Sequence, residues 1–335
     1  MPNTILLSHG SGGEQSRSLV REIFAKRFSN PALNAMGDSA IVEIPRSLLA
    51  FTTDSYVVKP LFFPGGDIGK LAVCGTVNDL AVAGARPAYL TAAFVIEEGF
   101  EMSLLERVAD SMAATAREAG VSIVAGDTKV VERGGLDGLF ITTSGIGELF
   151  VSRPLNPARI EPGDAIIVNG AVADHGMAIM SAREGLSFTA EIESDCAPLA
   201  SLAESLAAAV PDVRFMRDAT RGGLAAVLNE AVEDRSFGVE IEEGTIPLNE
   251  STAAACELLG LDPLSVANEG KLVAFVPEKQ AELALATMQG HRLGRKAAII
   301  GRATADEAGR VTLITSVGTR RLVAMPSGSQ LPRIC

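Results

Sequence analysis

Four aspartates in the first half of the chain stand out by type and spacing. Asp38 lies in Gly37-Asp38-Ser39, Asp54 closes Phe51-Thr52-Thr53-Asp54, and Asp127 closes Ile123-Val124-Ala125-Gly126-Asp127. Asp79 follows Asn78 inside Leu71 to Ala83, a stretch otherwise apolar at helical spacing. Carboxylates at the ends of neighbouring strands can converge on one spot. Several hard oxygen donors in one place suit Mg²⁺, which is usually held together with a phosphate ligand. The ordinary alternative is that each aspartate is a cap or turn residue. That alternative is weakest for Asp79, because so apolar a helix rarely carries a carboxylate without a partner.

Other residues could join such a site. Pro64-Gly65-Gly66-Asp67-Ile68-Gly69-Lys70 invites a P-loop reading but fails it, with Pro64 where Gly is needed and Leu71 where Ser or Thr is needed. No GxGxxG follows a strand, so a Rossmann site is unsupported. Arg221-Gly222-Gly223 opens a helix whose N–H groups could hold an anion; taken alone, an ordinary helix N-terminus capped by Asp218 or Thr220 is the better reading. His175, in Asp174-His175-Gly176, reads as a surface or capping residue. Glu269, in Asn268-Glu269-Gly270-Lys271, is either a base in a dry cleft or a turn carboxylate. Cys335 ends the chain, so it is not a prenylation box. It is either an incidental thiol or the tip of a carrier arm.

These residues must be positioned by elements. The first 37 residues join a Gly-rich start, Gly10 to Gly13, to a helix-like stretch, Gln15 to Phe28. Strands are expected at Ala40 to Ile44, Leu48 to Thr53, Val121 to Ala125 and Leu139 to Gly147, and helices over 68–83 and 103–119. The alternation argues for a mixed α and β fold. Pro/Gly-rich turns after Ser152 mark a boundary near residue 155. The second half restarts with a strand, Ala165 to Asn169, and helices over 174–184, 199–209 and 221–233. Strands over 311–315 and 320–325 close it. The last ten residues hold two Pro, one Gly and two Ser without periodicity and read as a mobile tail. The divisions are 1–37, 38–155, 156–318 and 319–335.

Composition bounds the rest. The chain has 335 residues and a formal charge of −12, against which broad nucleic-acid or anionic-membrane binding is a poor fit. No apolar run approaches the roughly 18 residues of a membrane span, and no signal peptide is visible, so the cytoplasm is expected. Cys74, Cys196, Cys256 and Cys335 form no CxxC pair and are expected as free thiols. The residues alone point to a two-domain Mg²⁺–nucleotide enzyme with a possible thiol arm.

Several segments together carry a resemblance. They are Thr52-Thr53-Asp54-Ser55, Phe63 to Lys70, Gly75-Thr76-Val77-Asn78-Asp79-Leu80, Gly126-Asp127-Thr128-Lys129-Val130-Val131, Arg217 to Leu224, Asn268 to Lys271 and the terminal Pro332-Arg333-Ile334-Cys335. From about residue 5 to 335 the chain resembles the HypE family, the carbamoyl dehydratases of [NiFe]-hydrogenase maturation. The carboxylate motifs alone resemble the wider PurM-like (aminoimidazole-ribonucleotide-synthetase) superfamily.

The resemblance implies a PurM-like two-domain fold, α/β and α+β mixed, together with a homodimer joined through the N-terminal sheet and ATP near that interface. It implies that a partner, HypF, carbamoylates Cys335. ATP then drives dehydration of the S-carboxamide to S-cyanide, which passes to iron on a HypC–HypD complex. It also implies site roles: Mg²⁺ on Asp38, Asp54, Asp79 and Asp127; Lys70, Asn78 and Thr128 at the nucleotide; Lys129 and Glu269 in the chemistry; Arg221 and His175 lining the pocket. Selenophosphate synthetase is disfavoured because Ser8 to Gly13 lacks Cys. Thiamine-monophosphate kinase and aminoimidazole-ribonucleotide synthetase leave the terminal Cys unexplained. A non-catalytic thiol-presenting protein leaves the carboxylates unexplained.

Overall fold

The computed structural model describes residues 4–6, 18–30, 48–185, 191–326, 331 and 333–335. Asp38, the Gly10–Gly13 segment and the strand expected at Ala40 to Ile44 lie outside them.

The first half contains strands β1 (Leu49–Tyr56), β2 (Phe62–Phe63) and β3 (Gly66–Asp67), helix α1 (Ile68–Val82), strand β4 (Ala85–Glu97), helix α2 (Met102–Ala119), and strands β5 (Ser122–Val131) and β6 (Leu139–Leu149). β2 and β3 form a small ribbon, and the other four make a sheet in the order β1-β6-β4-β5. Asp67 starts α1: its carboxylate accepts the N–H groups of Gly69 at 2.7 Å and Lys70 at 3.1 Å. α1 is apolar on all sides because it is covered on all sides, by β1, β6, α2 and the second half of the chain. Gly75 lets it approach the sheet, since a Cβ there would strike the Tyr56 hydroxyl.

The second half contains β7 (Ala165–Val168), α3 (Asp174–Glu184), α4 (Ala200–Ala209), β8 (Phe215–Asp218), α5 (Gly223–Val232), β9 (Gly238–Glu242), α6 (Glu250–Leu259), β10 (Leu272–Val276), α7 (Ala281–Gly290), β11 (Ala298–Thr304), β12 (Val311–Ile314) and β13 (Arg320–Leu322). Its sheet runs β13-β12-β9-β11-β7-β10-β8. Only the β12–β9 pair is parallel. Two apolar clusters of described residues cross between the halves: residues of α1, α2 and the first sheet pack with Ile179, Cys196, Ala267 and Ile334, and Ala81 and Val82 join Leu199, Leu202 and Met216. Among the described residues no helix is long and apolar enough to cross a membrane.

Three sequence expectations change. β4, central in the first sheet, is absent from the expected strands because Arg86 and Pro87 break its alternation; a register shift between Pro87 and Tyr89 absorbs them. β1 and β5 run beyond Asp54 and Asp127, so both aspartates lie within strands rather than at their ends. The described end of the tail is docked, because Ile334 is an apolar residue with a core to enter.

Candidate active site

Asp54 and Asp79 face each other between β1 and α1. Thr52 Oγ1 donates to Asp79 Oδ2 at 2.6 Å. Burial pushes Asp54 up to about 6, and Asp79, close enough to hydrogen-bond to it, adds to the rise. Asp218, at the end of β8, joins them from the second half. It is pushed up to about 7, first by burial and then by the charges of Asp79 and Asp54. Thr52, Asp79 and Asp218 line a cleft of about 700 Å³ between the halves, together with Phe51, Leu155 and Arg217.

Asp127 and Lys129 are not part of this group. On β5 they pair with Ala93 and Val95, while the intervening Phe94 and the flanking Ala92 and Ile96 point into the helix-covered core. A strand alternates its faces, so Asp127 and Lys129 lie exposed on the open face of the sheet, opposite Asp54 and Asp79. Thr128 lies between them, partly buried on the core face.

Glu269 is held at the centre by its backbone. Asp195 accepts the N–H groups of Glu269 at 3.0 Å and Gly270 at 3.2 Å, and Lys271 Nζ at 2.8 Å. Asn78 Nδ2 donates to the Glu269 carbonyl and the Ala197 carbonyl, each at 3.1 Å. Asn78 Oδ1 accepts the Leu199 N–H at 2.8 Å. Its amide therefore joins α1 to the second half, and both its ends are occupied by backbone. Glu269 is 2% exposed. Burial raises its carboxyl well above the usual range, and Cys196, Asp218, Asp195 and Asp54 add to the rise. Its surroundings therefore disfavour the ionised form.

The tail lies along residues 57–59 in antiparallel fashion. Val57 N donates to the Cys335 carbonyl oxygen at 3.3 Å and Lys59 N to the Arg333 carbonyl at 3.2 Å. Arg183 Nη2 donates to the carbonyls of Lys59 at 2.7 Å and Arg333 at 2.9 Å. The Arg333 guanidinium pairs with Asp137, which also binds Lys59 Nζ. Beyond this clasp Ile334 enters the core and His175 Nε2 meets its carbonyl at 2.8 Å. Cys335 is thereby half-buried beside Glu269, Asp54 and Arg221. Burial and then Glu269 push its thiol up to about 12, against the pull of Arg221. The seated sulfur is a neutral thiol.

The structure thus brings Asp54, Asp79, Glu269, Arg221 and Cys335 together and keeps Asp127 and Lys129 apart from them. Lys70 Nζ points to the Gly65 carbonyl at 2.9 Å. His175, expected at the surface or as a cap, is fully buried. Asp218 drew attention in the sequence only as a cap, yet the helix after it starts at Gly222 without a side-chain cap. Asp195 and Ser194 carry no sequence signal, being small polar residues in an irregular segment.

Two sheet-and-helix halves meeting at buried carboxylates match two family models. "AIR synthase related protein, N-terminal domain" covers residues 36–149, and the corresponding C-terminal domain covers 161–314. The class is therefore that of AIR synthase related proteins. Carbamoyl dehydratase HypE of Rhodobacter capsulatus is 52% identical over 334 residues, spanning 99% of this chain and 98% of that one. Its Escherichia coli counterpart is 45% identical over 338 residues, spanning 99% and 100%. A crystal structure of hydrogenase maturation protein HypE in complex with ATP superposes with a TM-score of 0.96 at 48% identity, covering 99% of this chain and 100% of that one. A HypE–HypF complex gives 0.81 at 49% identity, covering 92% and 100%. The chain belongs to the carbamoyl dehydratase HypE family and is an enzyme of hydrogenase maturation. Thiamine-monophosphate kinase from Stenotrophomonas maltophilia, at 20% identity and a TM-score of 0.66, shares the fold alone.

Proposed function

We propose that the chain uses ATP to dehydrate an S-carboxamide on its own Cys335 to an S-cyanide, the source of a CN ligand for [NiFe]-hydrogenase iron. The observation that carries this is the seat of the terminal residue: Cys335 lies beside Glu269 and Asp54 at the edge of a carboxylate group that also lines the inter-domain cleft. The complexes of relatives with ATP and with HypF support the nucleotide and the carbamoyl donor.

The chemistry fits these groups. The carboxamide oxygen is a poor leaving group until it takes the γ-phosphoryl of ATP and releases ADP. Loss of phosphate from carbon and of the N–H protons then leaves the nitrile. Glu269, buried and raised in pKa, is a strong base once it has lost its own proton. Arg221 is the cation beside the thiol and Asp54.

Among the described residues no group of three or more His, Cys, Asp or Glu side chains stands ready to hold a metal. Mg²⁺ carried on ATP phosphates needs only one or two carboxylates, and Asp54 with Asp79 fit that need. Bound there, Mg²⁺ would neutralise phosphate charge; Asp38 and Asp127 remain further candidates. Lys129 and Asp127 serve a site only if another chain covers the open face of the sheet. A homodimer through that face is therefore part of the proposal, with HypC–HypD as cyanide acceptor and the cytoplasm as the location.

The test is the mass of the C-terminal peptide after incubation with HypF, carbamoyl phosphate and Mg·ATP. A carboxamide adduct on Cys335 that loses one water only with hydrolysable ATP is the expected result. An adduct that never loses water, or none at Cys335, overturns the proposal.

A further inference from the structure

We infer that His175 is a positioning residue for the terminal thiol, and that Ser194 sets the ring tautomer with which it works. His175 opens α3, is fully buried, and lies edge-on to Phe63 with ring centroids 5.6 Å apart. Its two nitrogens have different partners: Nδ1 meets Ser194 Oγ at 2.8 Å and Nε2 meets the Ile334 carbonyl at 2.8 Å. A carbonyl only accepts, so the proton is on Nε2. Nδ1 is then an acceptor, and the Ser194 hydroxyl must donate to it. The Ser194 oxygen is left to accept the Cys196 N–H, at 3.1 Å. The chain of bonds from Cys196 N–H through Ser194 and His175 to the Ile334 carbonyl has one consistent direction.

The end of that chain is the peptide that enters Cys335. Holding the Ile334 carbonyl fixes the plane of the Ile334–Cys335 peptide, and so the direction in which the thiol leaves the backbone. The start of the chain lies in the segment that also holds Glu269, since Asp195 accepts the Glu269 N–H at 3.0 Å. One short segment, 194–196, therefore registers the proposed base and the proposed reacting residue against each other. The arginine clasp acts one residue earlier, at Arg333, and does not orient the last peptide. His175 makes no contact with the sulfur, so its effect is on geometry. The inference rests on the reading of Cys335 as the reacting residue.

Three full-length variants test it. Gln in place of His175 can set an amide N–H₂ where Nε2 stands; Asn reaches only the Nδ1 position. Two measurements apply: alkylation of Cys335 by iodoacetamide, and single-turnover dehydration of protein already carbamoylated by HypF, both read by mass at the C-terminal peptide. His175→Asn should speed alkylation and slow dehydration, each about tenfold, the scale of one lost hydrogen bond. KM for ATP should not move, and His175→Gln should restore both. Ser194→Ala, which leaves the ring in place, should give smaller shifts in the same directions. Equal effects of Asn and Gln, or none, overturn the inference. If His175→Asn does not fold, wild-type alkylation in Ser194→Ala overturns it. Wild-type protein that never dehydrates its carboxamide would sink the proposed function instead, while the alkylation rates still decide the role of His175.

Discussion

Asp218 contributes nothing to stability when ionised; in that form it works against the fold. Its folded pKa of about 7 lies well above that of an unfolded aspartate, because burial and two neighbouring carboxylates disfavour its charge. The sign follows: the folded state holds the proton more tightly, so the neutral group is tolerated below the unfolded value and stability falls as pH rises from about 4 to about 7. Asp218→Asn should therefore be more stable than wild type at pH 8, by on the order of 4 kcal/mol, with the gain vanishing by about pH 4. Thermal melts across that range, without ATP or Mg²⁺, check it; a gain independent of pH would contradict the assigned cause. At this scale the sequence was partly legible. Asp79 stands out as a carboxylate in an apolar helix, while Glu269 reads either as a base or as a turn carboxylate. Asp195, Ser194 and the burial of His175 do not stand out, since their importance lies in partners that the fold supplies, as Asp195 meets the Glu269 N–H and His175 the Ile334 carbonyl far along the chain.

At the scale of elements, the spans expected at 68–83, 103–119 and 174–184 end where local signals stand. Asp67 caps α1, and Gly120, Gly185 and Gly260 end helices in the left-handed conformation that Gly adopts without strain. β4 was missed because a proline inside a strand is normally evidence against one. The side on which Asp127 and Lys129 lie was equally hidden, since a one-residue change of register turns every side chain over. The open face itself has a consequence. Phe51 is 75% exposed and Leu48 66% exposed on or beside β1, more apolar surface than an isolated sheet needs. Phe51→Glu should convert a dimer to a monomer in sedimentation analysis while leaving the melting temperature of the chain within a few degrees. A wild-type monomer, or an unaltered dimer, would remove the open face as the contact.

For the whole molecule, the two halves are not independent bodies joined by a linker. α1 belongs to the first sheet by packing and to the second half by Asn78, whose amide bonds backbone at Ala197, Leu199 and Glu269. Separating the halves would exchange three hydrogen bonds for bonds to water, each at a net cost of about 0.5–1.5 kcal/mol, and would release the loop that carries Glu269. The inter-domain cleft is thus held by contacts from both halves. The sequence announced a thiol arm through Cys335 and its Pro, Gly and Ser content. It did not announce the dock, which is assembled from Val57, Lys59, Asp137, His175 and Arg183.

The seated tail lies along residues 57–59 by main-chain hydrogen bonds, a pairing of the kind by which peptides are captured, and the proposed delivery of its thiol requires that pairing to open. Two amides therefore report where the tail is. Among the described residues, Val57 and Lys59 donate to it and to no other backbone group. When the tail withdraws toward a partner, both should begin to exchange hydrogen with solvent. The amide of Tyr56, one residue away inside the strand ladder, should stay protected. Hydrogen exchange read at these three positions, with and without HypF, would follow the movement of the C-terminus without labelling the cysteine; unchanged Val57 and Lys59 exchange in the complex would mean that the tail is engaged without leaving its edge.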